Sequence, residues 1–245
     1  MKNNRAKKSQ ECPVVTIDGL RGTGKSKLAC SLRSILGCNV LEIGPIFRLL
    51  AWLVDQEFAE SIAAAQIVLA RGLDAGWIRF RLDKGGRISA NCIEVIGTEL
   101  EADLWDPRLD SLIQGAAGSC ADLWLAQLAQ RIVGFQPAVV VGREVGAKLF
   151  PDASVKIVLV AEKQKRLERK VSQLNGGTGA TNRSFSAEHS EARRDWTWNK
   201  QSVVLIDTTN LTSEEVLKMA SSCITSELGR IASISFHRLA GTVND

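Results

Sequence analysis

Gly19-Leu20-Arg21-Gly22-Thr23-Gly24-Lys25-Ser26 decides how this chain is read. An apolar run, Val14-Val15-Thr16-Ile17, precedes it, and behind it Leu28, Leu32, Ile35 and Leu36 recur on one helical face. Strand, glycine-rich loop and helix in that order are the context the pattern G-x-x-x-x-G-K-[ST] requires. The glycines let successive backbone N–H groups turn inward toward phosphate oxygens. The helix N-terminus adds partial positive charge at the same place. Lys25 supplies a mobile full charge for the outer phosphates, and the Ser26 hydroxyl is placed as a ligand for Mg²⁺. Gly19, Arg21, Gly22, Thr23, Gly24, Lys25 and Ser26 are therefore the expected binding residues for a nucleoside triphosphate, read as ATP.

The 245 residues are enough for one large domain or two small ones, and 45% apolar content provides a core. A net charge of +4 suits a binder of small anions and is too weak to indicate nucleic acid. The six cysteines (12, 30, 38, 92, 120 and 223) form no C-x-x-C pair, so reduced thiols fit better than zinc or a disulfide framework. No apolar run approaches the ~20 residues of a membrane helix, and no signal-peptide core follows the N-terminus. A cytosolic, monomeric protein acting on small molecules is the expectation.

Residues 1–11 are polar and basic and read as a disordered tail. After the first helix, stopped at Gly37, Asn39 to Ile43 reads as a strand ended by Gly44-Pro45. A helix with Ile46, Leu49, Leu50 and Leu53 in register follows. From about 56 to 130 the pattern is irregular, as in an insertion. A helix is predicted from Glu60 to Arg71, closed by Gly72. Ile78 to Leu82 and Arg87 to Ala90 read as a hairpin about Lys84-Gly85-Gly86. Trp105-Asp106-Pro107 marks a break, and Asp122 to Val133 an amphipathic helix. Three buried strands complete a sheet: 138–141, 155–160 and 203–206. A basic helix with Lys163, Lys165, Arg166, Arg169 and Lys170 and a glycine-rich loop (175–179) lie between the last two. A final helix opens on Thr212-Ser213-Glu214-Glu215, a capping box, and buries Val216, Met219 and Cys223. The fold class is α/β, a P-loop three-layer sandwich with a five-stranded parallel sheet, whose ligands gather at the strands' carboxyl ends.

Taken together, these segments resemble the cytidylate kinase family of nucleoside monophosphate kinases. Gly44-Pro45-Ile46-Phe47-Arg48 is similar to the family's D-[ST]-G-x-x-Y-R element. Gly142-Arg143-Glu144-Val145-Gly146, with Phe150-Pro151-Asp152-Ala153 and Lys156, is similar to its G-R-D-x-G-T-x-x-F-P-x-A-x-x-K run. Ile206-Asp207-Thr208-Thr209-Asn210-Leu211-Thr212 is close to its I-D-T-T-x-L-S segment, and the likeness runs collinearly from 13 to 225. The resemblance implies a kinase-like domain over 12–227, with a monophosphate-binding insertion at about 56–130, a lid at about 163–199 and a tail at 228–245. It implies transfer of the ATP γ-phosphoryl group to a pyrimidine monophosphate, CMP or dCMP first. Arginines suit such chemistry, because a planar guanidinium grips phosphate with two parallel hydrogen bonds. Arg48 and Arg143 are expected on the acceptor phosphate. Arg166, Arg193 and Arg194 are expected to close from the lid, Glu144 to approach the acceptor base, and Asp195 to match a ribose-binding aspartate.

Departures from the family pattern bear on specificity. Glu42 and Ile43 stand where the family has an acid and a hydroxyl, so a ribose contact is missing. Val141 replaces a carboxylate near the metal, and Glu144 is one methylene longer than the family's aspartate. The family's base-reading serine and arginine fall near Gln114 and Leu123, and Trp198 stands where a lid arginine would. Phosphate machinery is retained while base recognition is rebuilt. Two other readings stay open: a P-loop kinase of a non-nucleotide small molecule, with Glu42 or Glu144 as base, and a catalytically weakened nucleotide-binding regulator.

Overall fold

The computed structural model describes residues 13–82, 87–88, 92–113, 122–133, 138–175 and 203–240. Its strands are β1 (Val14–Gly19), β2 (Asn39–Glu42), β3 (Ile78–Phe80), β4 (Arg87–Ile88), β5 (Ile93–Val95), β6 (Thr98–Glu99), β7 (Ala138–Gly142), β8 (Val155–Val160) and β9 (Val203–Asp207). The helices are α1 (Lys25–Leu36), α2 (Gly44–Asp55), α3 (Ile62–Ala75), α4 (Glu101–Leu104), α5 (Asp122–Val133), α6 (Lys163–Asn175) and α7 (Ser213–Ala240).

The main sheet runs β4-β2-β7-β1-β8-β9 and its neighbouring strands are all paired parallel. The five expected strands are all there, and β4 is a two-residue sixth on the β2 edge. Alternation along β1 and β7 divides the core into two layers. Val15, Ile17, Val139 and Val141 pack with α1 and α7 through Leu28, Leu32, Val216 and Ala220. Ala138 and Val140 face the opposite way, onto α2, α3, α5 and the small sheet. Burial on both faces explains the short continuous apolar runs of β1, β7 and β8, whereas β9, expected to be buried, is an edge strand that buries Ile206 and leaves Leu205 exposed.

Several expectations shift. Ile35 is exposed, and Ala29 is buried in its place on α1. The final helix buries Ala220 and Ile224, while Met219 is exposed and Cys223 half-buried. It also continues to Ala240, through the boundary drawn at 227. Its capping box is formed: Thr212 N donates to Glu215 Oε2 at 2.7 Å, and Glu215 N donates back to Thr212 Oγ1 at 3.3 Å. The α3 helix starts at a Ser61 cap and passes straight through Gly72, ending instead at Gly76 in the left-handed region.

The hairpin is also paired differently. β3 pairs antiparallel with β5, and β5 with β6, while Arg87–Ile88 joins the main sheet. Alternation identified both segments as strands, but it does not say which edge each one finds. Residues 1–11, 176–200, Gln114 and the lid residues Arg193, Arg194, Asp195 and Trp198 lie outside the described residues.

Candidate active site

β1 delivers the chain to the loop at Gly19, and α1 leaves it at Lys25. The loop is built tight. Gly22 has φ +81°, and a Cβ there would meet the Arg166 carbonyl oxygen at 2.7 Å, so the position demands glycine on both counts. Thr23 Oγ1 and Lys25 Nζ each donate to the Leu20 carbonyl at 2.8 Å, folding both side chains over the loop.

The loop lines a cavity of about 750 Å³ with Ser26, Trp105, Lys165, Arg169, Thr208 and Thr212 among its walls. The expected binding residues Arg21, Gly22, Thr23, Gly24, Lys25 and Ser26 are gathered there, and Gly19 closes β1 directly behind them. Burial and the Arg143 charge push Lys25 down to about 8, against opposing pulls from Asp18 and Glu42. Arg143, exposed just past β7, thus shares the electrostatic field of the loop lysine, as its place at a strand's carboxyl end predicts.

Asp18 is the residue the sequence reading passed over. It is fully buried at the end of β1, and its two oxygens accept backbone N–H groups from Val145 at 2.6 Å and Gly146 at 2.9 Å. Burial raises its carboxyl to about 6, while the bonds from Gly146 and Val145 and the charge of Lys25 pull the other way. One carboxylate therefore ties the strand feeding the phosphate loop to the segment carrying Arg143. Glu144 enables the turn by adopting φ 56°, uncommon for a non-glycine residue. Its carboxylate pairs with Lys148 Nζ at 3.0 Å, in the π-helical turn Val145–Leu149. An acid inside an otherwise apolar strand was the signal for Asp18.

The other expected arginines are placed differently from the reading. Arg166 is buried, and its Nε donates to Ala161 O at 3.3 Å and its Nη1 to Arg21 O at 3.4 Å. Its guanidinium is thus bonded to the backbone of the phosphate loop at Arg21. One turn on, Arg169 Nη1 donates to Thr208 Oγ1 at 3.0 Å and to Gly22 O at 3.4 Å, and its Nη2 donates to Thr208 O. Spacing of three on a basic helix was the available clue to Arg169.

Arg48 is buried on α2, where Nη1 donates to Leu104 O at 2.9 Å and Nη2 pairs with Asp110 at 3.1 Å. Its guanidinium lies 4.4 Å from the centre of the Trp105 ring. The sequence marked Trp105 only as the start of a break before Pro107, and nothing in its pattern marked Asp110. Ile43 is buried, its N–H donating to Val141 O at 2.9 Å, and Val141 lies in the apolar layer under α1. Both departures thus occupy core positions. Phe47, the stand-in for the family's tyrosine, is half-buried and packs on the core.

Comparison with known proteins places this architecture. The family model described as cytidylate kinase matches residues 15–226. A cytidylate kinase of Marinomonas sp. (strain MWYL1) is 30% identical over 225 residues, covering 84% of this chain and 93% of the relative. One from Nitrosococcus oceani is 30% identical over 220 residues, covering 86% and 95%. One from Roseiflexus castenholzii is 32% identical over 167 residues, covering 66% and 69%. The match runs collinearly from β1 through the phosphate loop to β9 and beyond, so this chain belongs to the cytidylate kinase family of P-loop nucleoside monophosphate kinases, as a divergent member.

Proposed function

We propose that the protein transfers the γ-phosphoryl group of ATP to a nucleoside monophosphate, with CMP and dCMP as the first acceptors to consider. The observation that carries this reading is the convergence of Lys25 and Arg143 on one field at the carboxyl ends of β1 and β7. A phosphoryl transfer between two anions needs charge neutralisation and in-line positioning more than a base, because the acceptor oxygen is already ionised. Lys25 and the loop amides serve the donor tail, and Arg143 serves the acceptor phosphate.

Arg48 reaches the same acceptor once Asp110 yields. Arg166 and Arg169 keep the loop's carbonyls pinned, so that its N–H groups stay aimed inward. The residues also fit a magnesium ion, a hard cation that takes oxygen ligands. Ser26 is exposed in the first turn of α1, and the field of Lys25 contains the carboxylates of Asp18 and Glu42. When bound, the ion would neutralise triphosphate charge.

Small nucleotides are the proposed partners and the cytosol the proposed compartment. Among the described residues no helix is long and apolar enough to cross a membrane. The test is a coupled ADP-release assay over a panel of monophosphates and small alcohols and acids. Turnover with CMP or another monophosphate is expected. Turnover with non-nucleotides alone, or ATP binding with no turnover, would overturn the reading.

A further inference from the structure

Residue 42 lies in the row of side chains nearest the start of α1. In parallel pairing, β7 Val141 is in register with β1 Ile17 on one side and β2 Glu42 on the other. Register partners project to the same face, here the one covered by α1, whose first residues are Lys25 and Ser26. Ile17 and Val141 are apolar and buried, so Glu42 is the one charge in that row.

Its Oε1 is buried and has no hydrogen-bond partner. A carboxylate oxygen shielded from water and left unbonded is costly, and such a group calls for a function or a missing ligand. Lys25 Nζ donates to Leu20 O and makes no bond to this oxygen, yet Glu42 still acts on it electrostatically. The other carboxylate in reach, Asp18, lies on the opposite face and already spends both oxygens on Val145 and Gly146.

We propose that Glu42 is the carboxylate that holds the nucleotide-bound magnesium ion, from β2 rather than from the apolar position 141 on β7. Magnesium is bound through one or two carboxylates together with substrate phosphates, and Glu42, on the sheet face covered by the helix that starts at Lys25 and Ser26, provides that complement. This rests on the phosphate-loop reading given under the proposed function.

The experiment is calorimetric titration of the full chain with adenylyl imidodiphosphate, a non-hydrolysable ATP analogue, in Mg²⁺ and separately in EDTA. Wild type binds in both conditions and more tightly with Mg²⁺. Glu42→Gln binds the metal-free analogue at least as well, because a like charge is gone. It loses roughly tenfold of the Mg²⁺-dependent tightening, at the low end of the range for groups that support a metal. Glu42→Asp, which keeps a carboxylate and guards against a folding defect in the amide variant, loses only part of that tightening. Equal Mg²⁺ tightening in wild type and both variants would overturn the proposal, as would an equal weakening with and without the ion. Absence of any analogue binding by wild type would instead sink the phosphate-loop reading itself.

Discussion

Lys25 is poised by its surroundings rather than by its identity alone. Held down to about 8, it loses its charge in the empty site as the pH rises past that value, so affinity for ATP is expected to fall between pH 7 and 9. Lys25→Ala should remove most phosphoryl transfer, flatten that pH profile and leave the melting temperature within a few degrees of wild type. Near-normal turnover in a folded variant would refute the assignment. Asp18 gives a second handle. Its folded-state value is raised from 3.8 to about 6, so the folded protein binds the proton more tightly than the unfolded chain does. The stability this group contributes is therefore complete below about pH 4 and lost as the pH rises through 6. A shift of that size corresponds to about 3 kcal/mol. Denaturant titrations at pH 4.5 and 8, taken as ~two ends of that window, should show wild type losing ground to Asp18→Asn at the higher pH. A constant difference between the two proteins would show that Asp18 does not titrate there. Neither shift was legible in the sequence, because each arises from groups brought together by folding.

Among the elements, α3 best separates local from tertiary causes. Gly72 looks like a helix stop by propensity, yet the helix continues past it. The reason lies across the interface: a Cβ at Gly72 would stand 2.6 Å from two carbons of the buried Ile78 side chain and 3.0 Å from Trp77. Gly72→Ala should gain roughly 1 kcal/mol in helix propensity and lose about 1–3 kcal/mol to overpacking. A net loss of about 1 kcal/mol is expected, read from urea unfolding. A stabilised variant would mean that Ile78 moves aside freely. The small sheet carries the same lesson. Alternation marked Ile78–Phe80 and Arg87–Ile88 as strands, but pairing with β5 or with β2 is a choice among non-local partners. By contrast, α2 was legible in full, because Ile46, Leu49, Leu50 and Leu53 all fall on its buried stripe.

At the scale of the whole molecule, Arg48 ties α2 to the stretch around Leu104 and Asp110. The arginine on α2 is held by Leu104 and Asp110 and covered by Trp105, which also lines the cavity at the phosphate loop. An acceptor phosphate would have to compete with the Asp110 carboxylate for the same guanidinium. Asp110 is partly exposed, so losing this pair should cost about 0–1 kcal/mol of stability. Asp110→Asn is expected to lower KM for the monophosphate several-fold with little change in kcat. An unchanged KM would show that the two anions do not compete.

The sequence by itself determined the phosphate loop, the parallel strands and the helices around them, because glycine spacing and apolar periodicity act within a few residues. Only the tertiary structure decided that Asp18 meets Val145 across 127 positions of chain and that Glu42 stands beside Val141. Strand register and the fields of buried charges depend on which distant segments pack together, and no local pattern carries that information.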